Sequence, residues 1–187
     1  AIIALGCGIF VGRRITKADM IATGQVYTDE QNMFDLRLIS SYGWSLSDVE
    51  KIAALEGIEQ AEGVFTLDVF ARMEDAGEDQ VYRLYSMPEN VSQVYLLGGR
   101  MPQSPNDCLL DGQHQYDSIL GTQITVSDTN EEESLESLNY RTYTVVGYIS
   151  SPLYMNMIRG STSLGSGQLT SYIYLPWENF DVDYYTE

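Results

Sequence analysis

The chain opens on an unbroken apolar run, AIIALGCGIFVG at residues 1–12, and then alternates between short periodic segments and polar breaks. At about 1.5 Å per residue a helix of this length rises only about 18 Å, against roughly 30 Å of bilayer hydrocarbon, so the run reads as the outer half of a membrane helix. Gly8 and Gly12 suit close helix packing. Arg13, Arg14 and Lys17 follow the run rather than precede it, unlike the charges of a secretory signal.

Beyond the run, Phe34, Leu36 and Leu38 alternate with Asp35 and Arg37, which predicts a strand over 32–40. Ser45 followed by Asp48 predicts a capped helix start, Trp44 and Val49 are placed for a hydrophobic staple, and Gly57 supplies the stop. Val49, Ile52 and Ala53 share one face of that helix. Phe65, Leu67, Val69, Ala71 and Met73 alternate with polar residues, predicting a strand over 64–73, a turn over 74–79 and a partner strand over 80–86. At Pro88 the texture changes to loops, with an apolar stretch at 108–110 as a candidate strand. Strands are predicted over 121–126 and 141–149, flanking an acidic stretch, 128–136, that reads as an exposed hairpin loop. A Ser/Gly-rich segment, 150–167, precedes a last strand at 169–175, and Pro176 starts a turn or short helix. The fold class is therefore α+β.

Composition sharpens this picture. With 187 residues and 44% hydrophobic content the chain can bury a core without disulfides, and its two cysteines, Cys7 and Cys108, lie in unlike surroundings. After Lys17 there are seven basic residues against 27 acidic ones, which argues against nucleic acid as a partner. His114 is the sole histidine, without a serine or cysteine motif beside it; no nucleophile elbow and no Walker A sequence occur. Any ATP-driven work must come from another chain. Asp128, Asn130 and Glu132 alternate like the start of a calcium loop, but Glu133 stands where glycine belongs, so at most weak calcium association is expected and no metal or catalytic site is assigned. The tyrosines at 140, 143, 148, 154, 172 and 174 are expected to pack in or beside the last strands. Tyr154, Met155, Met157, Arg159, Gly160, Gly165 and Gly167, on or beside the Ser/Gly-rich loop, form a candidate partner or ligand surface.

The segments ALGCGIFVG, TKADM, DEQNMFDLRLIS, SLSDVEKIAALEGIEQAEG, LLGGRMPQSPNDCLLD, YTVVGYISSPLY and RGSTSLGSG, in this order, resemble the extracytoplasmic domain of FtsX-like ABC transporter permeases of Gram-positive type, whose ectodomains are similar to the MacB periplasmic core. The resemblance implies a βαβ-containing lobe, 32–88 with 169–187, and an inserted, smaller, mainly-β lobe over 89–168 that includes the Ser/Gly-rich loop. Residues 1–12 would then end transmembrane helix 1, and 13–31 would be the juxtamembrane connection, with Gly12, Arg13, Arg14, Lys17 and Asp19 as the candidate coupling segment. It further implies a domain outside the cell membrane with no cofactor and no active site of its own. Its partners would be a cytoplasmic ABC ATPase subunit that uses the ATP, and the remaining permease segments or a second permease copy. The domain would transmit conformational change to move or release a substrate; the alternative is capture of a peptide, lipid or lipoprotein.

Overall fold

Alternating apolar positions decide where the sheet forms. The computed structural model describes residues 16–17, 19–40, 43–74, 76–114 and 117–181. The strands are β1 (Thr66–Met73), β2 (Gln80–Ser86), β3 (Tyr95–Gly99), β4 (Asp107–Asp111), β5 (Gln123–Val126), β6 (Thr142–Ser150) and β7 (Ser171–Leu175). Helix α1 spans 19–30, α2 Leu46–Ala53 and α3 Glu132–Glu136. The result is a mixed α/β fold with a sheet-dominated core and few helices.

β1 and β2 form an antiparallel pair with Leu67 opposite Leu84 and Val69 opposite Tyr82. β2 runs parallel to β7, β7 antiparallel to β4, and β4 parallel to β6. The sheet order is β3-β6-β4-β7-β2-β1-β5, and β5 also pairs with the first half of β6, so all strands but β3 close into a ring. Closure gives the sheet an inside. Val69, Ala71, Leu84, Cys108, Leu110 and Ile173 fill it, with Phe180 stacked on Phe65 at one end. On the outer face Tyr85, Leu109, Ile149, Tyr172 and Tyr174 form a second cluster. β4 and β7 are thus buried on both faces, which is why DCLLD and SYIYL read as short runs rather than as clean alternation.

β3 meets β6 at glycines. A Cβ on Gly98 would collide with the Tyr148 ring, one on Gly147 would lie 2.7 Å from the Arg100 carbonyl oxygen, and Gly99 has φ +82°. Only glycine lets these two backbones approach so closely.

Several expectations change. The strand expected over 32–40 does not form: Leu36 is 70% and Leu38 48% exposed, and the alternation of Phe34, Leu36 and Leu38 meets no neighbouring strand among the described residues. Helix α2 forms as expected, with the complete Ser45–Asp48 capping box, yet none of its residues is buried. The stretch expected as a plain hairpin loop contains α3, and Tyr95–Gly99, within the stretch read as loop, is a strand. Strands from 32–88 and 169–187 share one sheet with strands from 89–168. The apolar run at 1–12 lies outside the described residues, among which no helix is long and apolar enough to cross a membrane.

Candidate functional site

Two places stand out: the joint between α1 and the sheet, and the loop between β6 and β7. Gly12, Arg13 and Arg14 of the candidate coupling segment lie outside the described residues, while Lys17 is helical and Asp19 begins the described span of α1, both exposed. The end of α1 is a Schellman cap. The Asn32 N–H donates to the Asp29 carbonyl (3.1 Å) and the Met33 N–H to the Thr28 carbonyl (2.9 Å), with Asn32 at φ +48°. Asparagine tolerates that left-handed conformation better than most side chains. Its amide then donates to the Asn90 carbonyl (2.8 Å) and Gln60 Oε1 (3.0 Å). The N–H groups of Ser92 and Gln93 donate back to the carbonyls of Asn32 and Gln31, each at 2.8 Å. One turn earlier, the Tyr27 hydroxyl meets Ser150 Oγ at 2.8 Å, at the end of β6. The Glu62 carboxylate gathers the next segment by accepting from the N–H groups of Glu89, Asn90 and Val91. The helix end is therefore tied down by five hydrogen bonds, four to Gln60 and the 90–93 segment and one, from Tyr27, to the end of β6.

The β6–β7 loop is held from below. Pro152 starts a 3-10 turn, Pro152–Tyr154, whose cap Ser151 accepts from Leu153 N and bonds the Tyr174 hydroxyl at 2.9 Å. Tyr154 then stacks on Tyr172 with centroids 4.2 Å apart and shares a 2.8 Å hydrogen bond with the Tyr85 hydroxyl. Arg159 closes the loop. Its guanidinium donates through Nε and Nη2 to the Asp111 carboxylate at 2.5 and 2.7 Å, and through Nη1 to the Asn156 carbonyl at 2.5 Å. It also lies over the Tyr154 and Tyr172 rings, 5.7 and 5.4 Å from their centroids. The two side chains are 8% and 1% exposed, so this is a buried, bidentate pair whose remaining polar groups are satisfied by backbone. Burial pushes the hydroxyls of Tyr154, Tyr172 and Tyr174 well above the ordinary tyrosine value.

That anchor projects an apolar tip: Met155 is 64%, Met157 79% and Ile158 77% exposed. The structure therefore brings Tyr154 and Arg159 together and leaves Met155 and Met157 exposed at the tip, where the Gln113 amide donates to the Met157 carbonyl and sulfur at 3.2 and 3.4 Å. Gly160, Gly165 and Gly167 belong to the far half of the loop, a turn closed by the Ser161–Gln168 bridge, where a side chain on Gly165 would press on Phe70 and Val81 and Arg83 donates to the Ser161 carbonyl. Sequence reading missed Asp111 and Tyr85. Their only signal was chemical type, an acid and an aromatic at strand ends, remote in sequence from the loop they hold.

Other candidates are occupied otherwise. Asn130, one of the calcium-like residues, spends its amide on the Phe70 backbone in both directions at 2.8 Å, and Asp128 faces Arg141 at 3.4 Å. His114 ends a 3-10 turn and its side chain lies outside the described residues. Cys108 is fully buried, which pushes its thiol up and away from reactivity.

No protein-family model matches the chain, and no curated protein matches it. Among solved structures it is similar to the extracellular domain of a noncanonic ABC-type transporter, YknZ, from Gram-positive bacteria, at 13% identity and a TM-score of 0.44, covering 73% of this chain and 64% of that one. It is also similar to the periplasmic region of MacB from Actinobacillus actinomycetemcomitans, at 14% identity and a TM-score of 0.37, covering 72% of this chain. The chain spans 64% and 55% of the lengths of these two structures.

Proposed function

We propose that the chain is a non-catalytic extracytoplasmic domain of an ABC permease, passing ATP-driven displacement from a membrane helix to the sheet. The observation that carries this reading is the joint at Asn32. A helix that ended in a free linker would dissipate motion applied at Lys17 and Asp19, whereas one capped and bonded to residues 90–93 and to Ser150 delivers it to β6. Residues 1–12 would be the end of the membrane helix, a separate cytoplasmic subunit would hydrolyse the ATP, and the remaining permease segments or a second copy would complete the transporter. The division into a segment 32–88 with 169–187 and an inserted segment 89–168 is then one of chain course, because strands of both carry load in one sheet.

The test is a flexible Gly/Ser insertion after Lys17 in the intact permease with its ATPase. Substrate-stimulated ATP hydrolysis and transport should fall together while the domain's melting temperature stays the same. Unchanged stimulation and transport would overturn the reading.

A second reading, capture of a peptide, lipid or lipoprotein, is favoured by the exposed Met155, Met157 and Ile158 on a loop pinned by Arg159. It predicts that serine at these three positions abolishes substrate retention by the domain and leaves its stability intact.

A further inference from the structure

A groove lies where three segments meet beyond the ends of β2, β3 and β7. Met87 and Pro88 form one wall, Met101 and Pro102 a second, and Pro176 and Trp177 a third, around an open depression of about 220 Å³. The walls are fixed to one another. Met87 N–H donates to the Leu175 carbonyl at 2.8 Å, and the Asn179 amide ties the carbonyls of Pro105 and Pro176 together at 2.6 and 3.1 Å. Three prolines add backbone stiffness, so the groove exists before anything enters it.

Its lining combines an exposed aromatic with two acids. Trp177 is 54% exposed, and Glu89 and Glu178 line the same groove. Neither carboxylate has an ion-pair partner among the described residues, and the neighbouring base, Arg100, is engaged by Asp107 at 2.7 Å. The volume is under the roughly 300–1,000 Å³ of sites for drug-sized molecules, and suits one long side chain. An indole face flanked by carboxylates selects a cation that also carries an apolar stem.

We propose that this groove is a docking site for a single arginine or lysine side chain presented by a partner protein, its stem against Met87, Met101 and the prolines and its charge between Trp177, Glu89 and Glu178. The net charge of −17 steers such a segment toward the chain without itself selecting the groove. The inference holds whether or not the chain belongs to a permease.

The test uses the pentapeptide acetyl-Ala-Ala-Arg-Ala-Ala-amide, its norleucine counterpart and tetramethylammonium chloride, titrated into the chain while the two tryptophan indole N–H signals are followed by NMR. The Trp177 signal should shift and saturate with the arginine peptide alone, and the Trp44 signal should stay still. Glu89→Gln with Glu178→Gln should weaken binding about five- to tenfold and flatten its salt dependence, while Glu132→Gln with Glu133→Gln changes neither. Equal saturation by the norleucine peptide or by tetramethylammonium, an unmoved Trp177 signal, or undiminished binding in the Glu89/Glu178 variant would overturn the proposal.

Discussion

Arg159 and Asp111 show how one pair of residues can govern a whole loop. The cost of dehydrating both charges is recovered only because the guanidinium fork meets both carboxylate oxygens and the remaining donors reach backbone carbonyls. Removing one partner leaves the other buried and uncompensated, so Arg159→Met or Asp111→Leu alone should cost about 3–5 kcal/mol in urea denaturation, and the double variant should regain most of it. Titration adds a second test at this scale. Burial opposes ionisation of Asp107, but the Arg100 guanidinium and the Gln103 N–H outweigh it and hold the carboxyl below its ordinary value. A depressed folded-state pKa stabilises the fold above the unfolded value of about 3.9, and that contribution is lost as pH falls through the folded value. Asp107→Asn should therefore flatten the acid limb of the stability profile below about pH 4. Tyr82, pushed up to about 12 by burial, and the more strongly raised Tyr143, Tyr154, Tyr172 and Tyr174 act in the opposite sense. Their contribution is complete below about pH 10 and disappears as pH climbs through their folded values. Absorbance titration should show them ionising only as the fold is lost.

Among the elements, periodicity was a good guide wherever a strand has one face in the closed sheet. β1, β2, β5, β6 and β7 lie where alternation or an apolar run put them. β3 was hidden because Gly98 and Gly99 read as a turn, whereas their missing side chains are what permits its approach to β6. Residues 33–40 err the other way: they carry a strand's pattern, but a pattern supplies only a face, and a strand also needs neighbours for its N–H and C=O groups. The capping box of α2 was legible for a purely local reason, since Ser45 and Asp48 satisfy each other's backbone within one turn. Local signals do not promise anchorage. With no residue of α2 buried, Ser45→Ala should cost this helix about 1 kcal/mol, seen as faster amide exchange over 46–53 with sheet protection unchanged. Faster exchange across the entire sheet upon the same change would mean that α2 is part of the core.

For the whole molecule, the ring of strands joins parts of the chain that sequence texture separates at Pro88. Long-range pairings such as β2 with β7 and β4 with β6 leave no trace in local pattern, so the mix of strands and few helices could be read while the closure could not. The same holds for the site. The loop at 154–167 announced itself by composition, yet the acid that pins it, Asp111, is 48 residues from Arg159. In the proposed account the ring acts as a stiff body and α1 as its handle, joined at Asn32, Tyr27 and residues 90–93. The most direct measurement is the distance between spin labels on α1, at Met20→Cys, and on β5, at Thr125→Cys, in a Cys7→Ser background of the assembled transporter. One narrow distance distribution, unchanged between nucleotide-free and ATP-bound states, is the predicted result. A broad distribution, or one that shifts with nucleotide, would show that the helix moves against the sheet and would contradict the account.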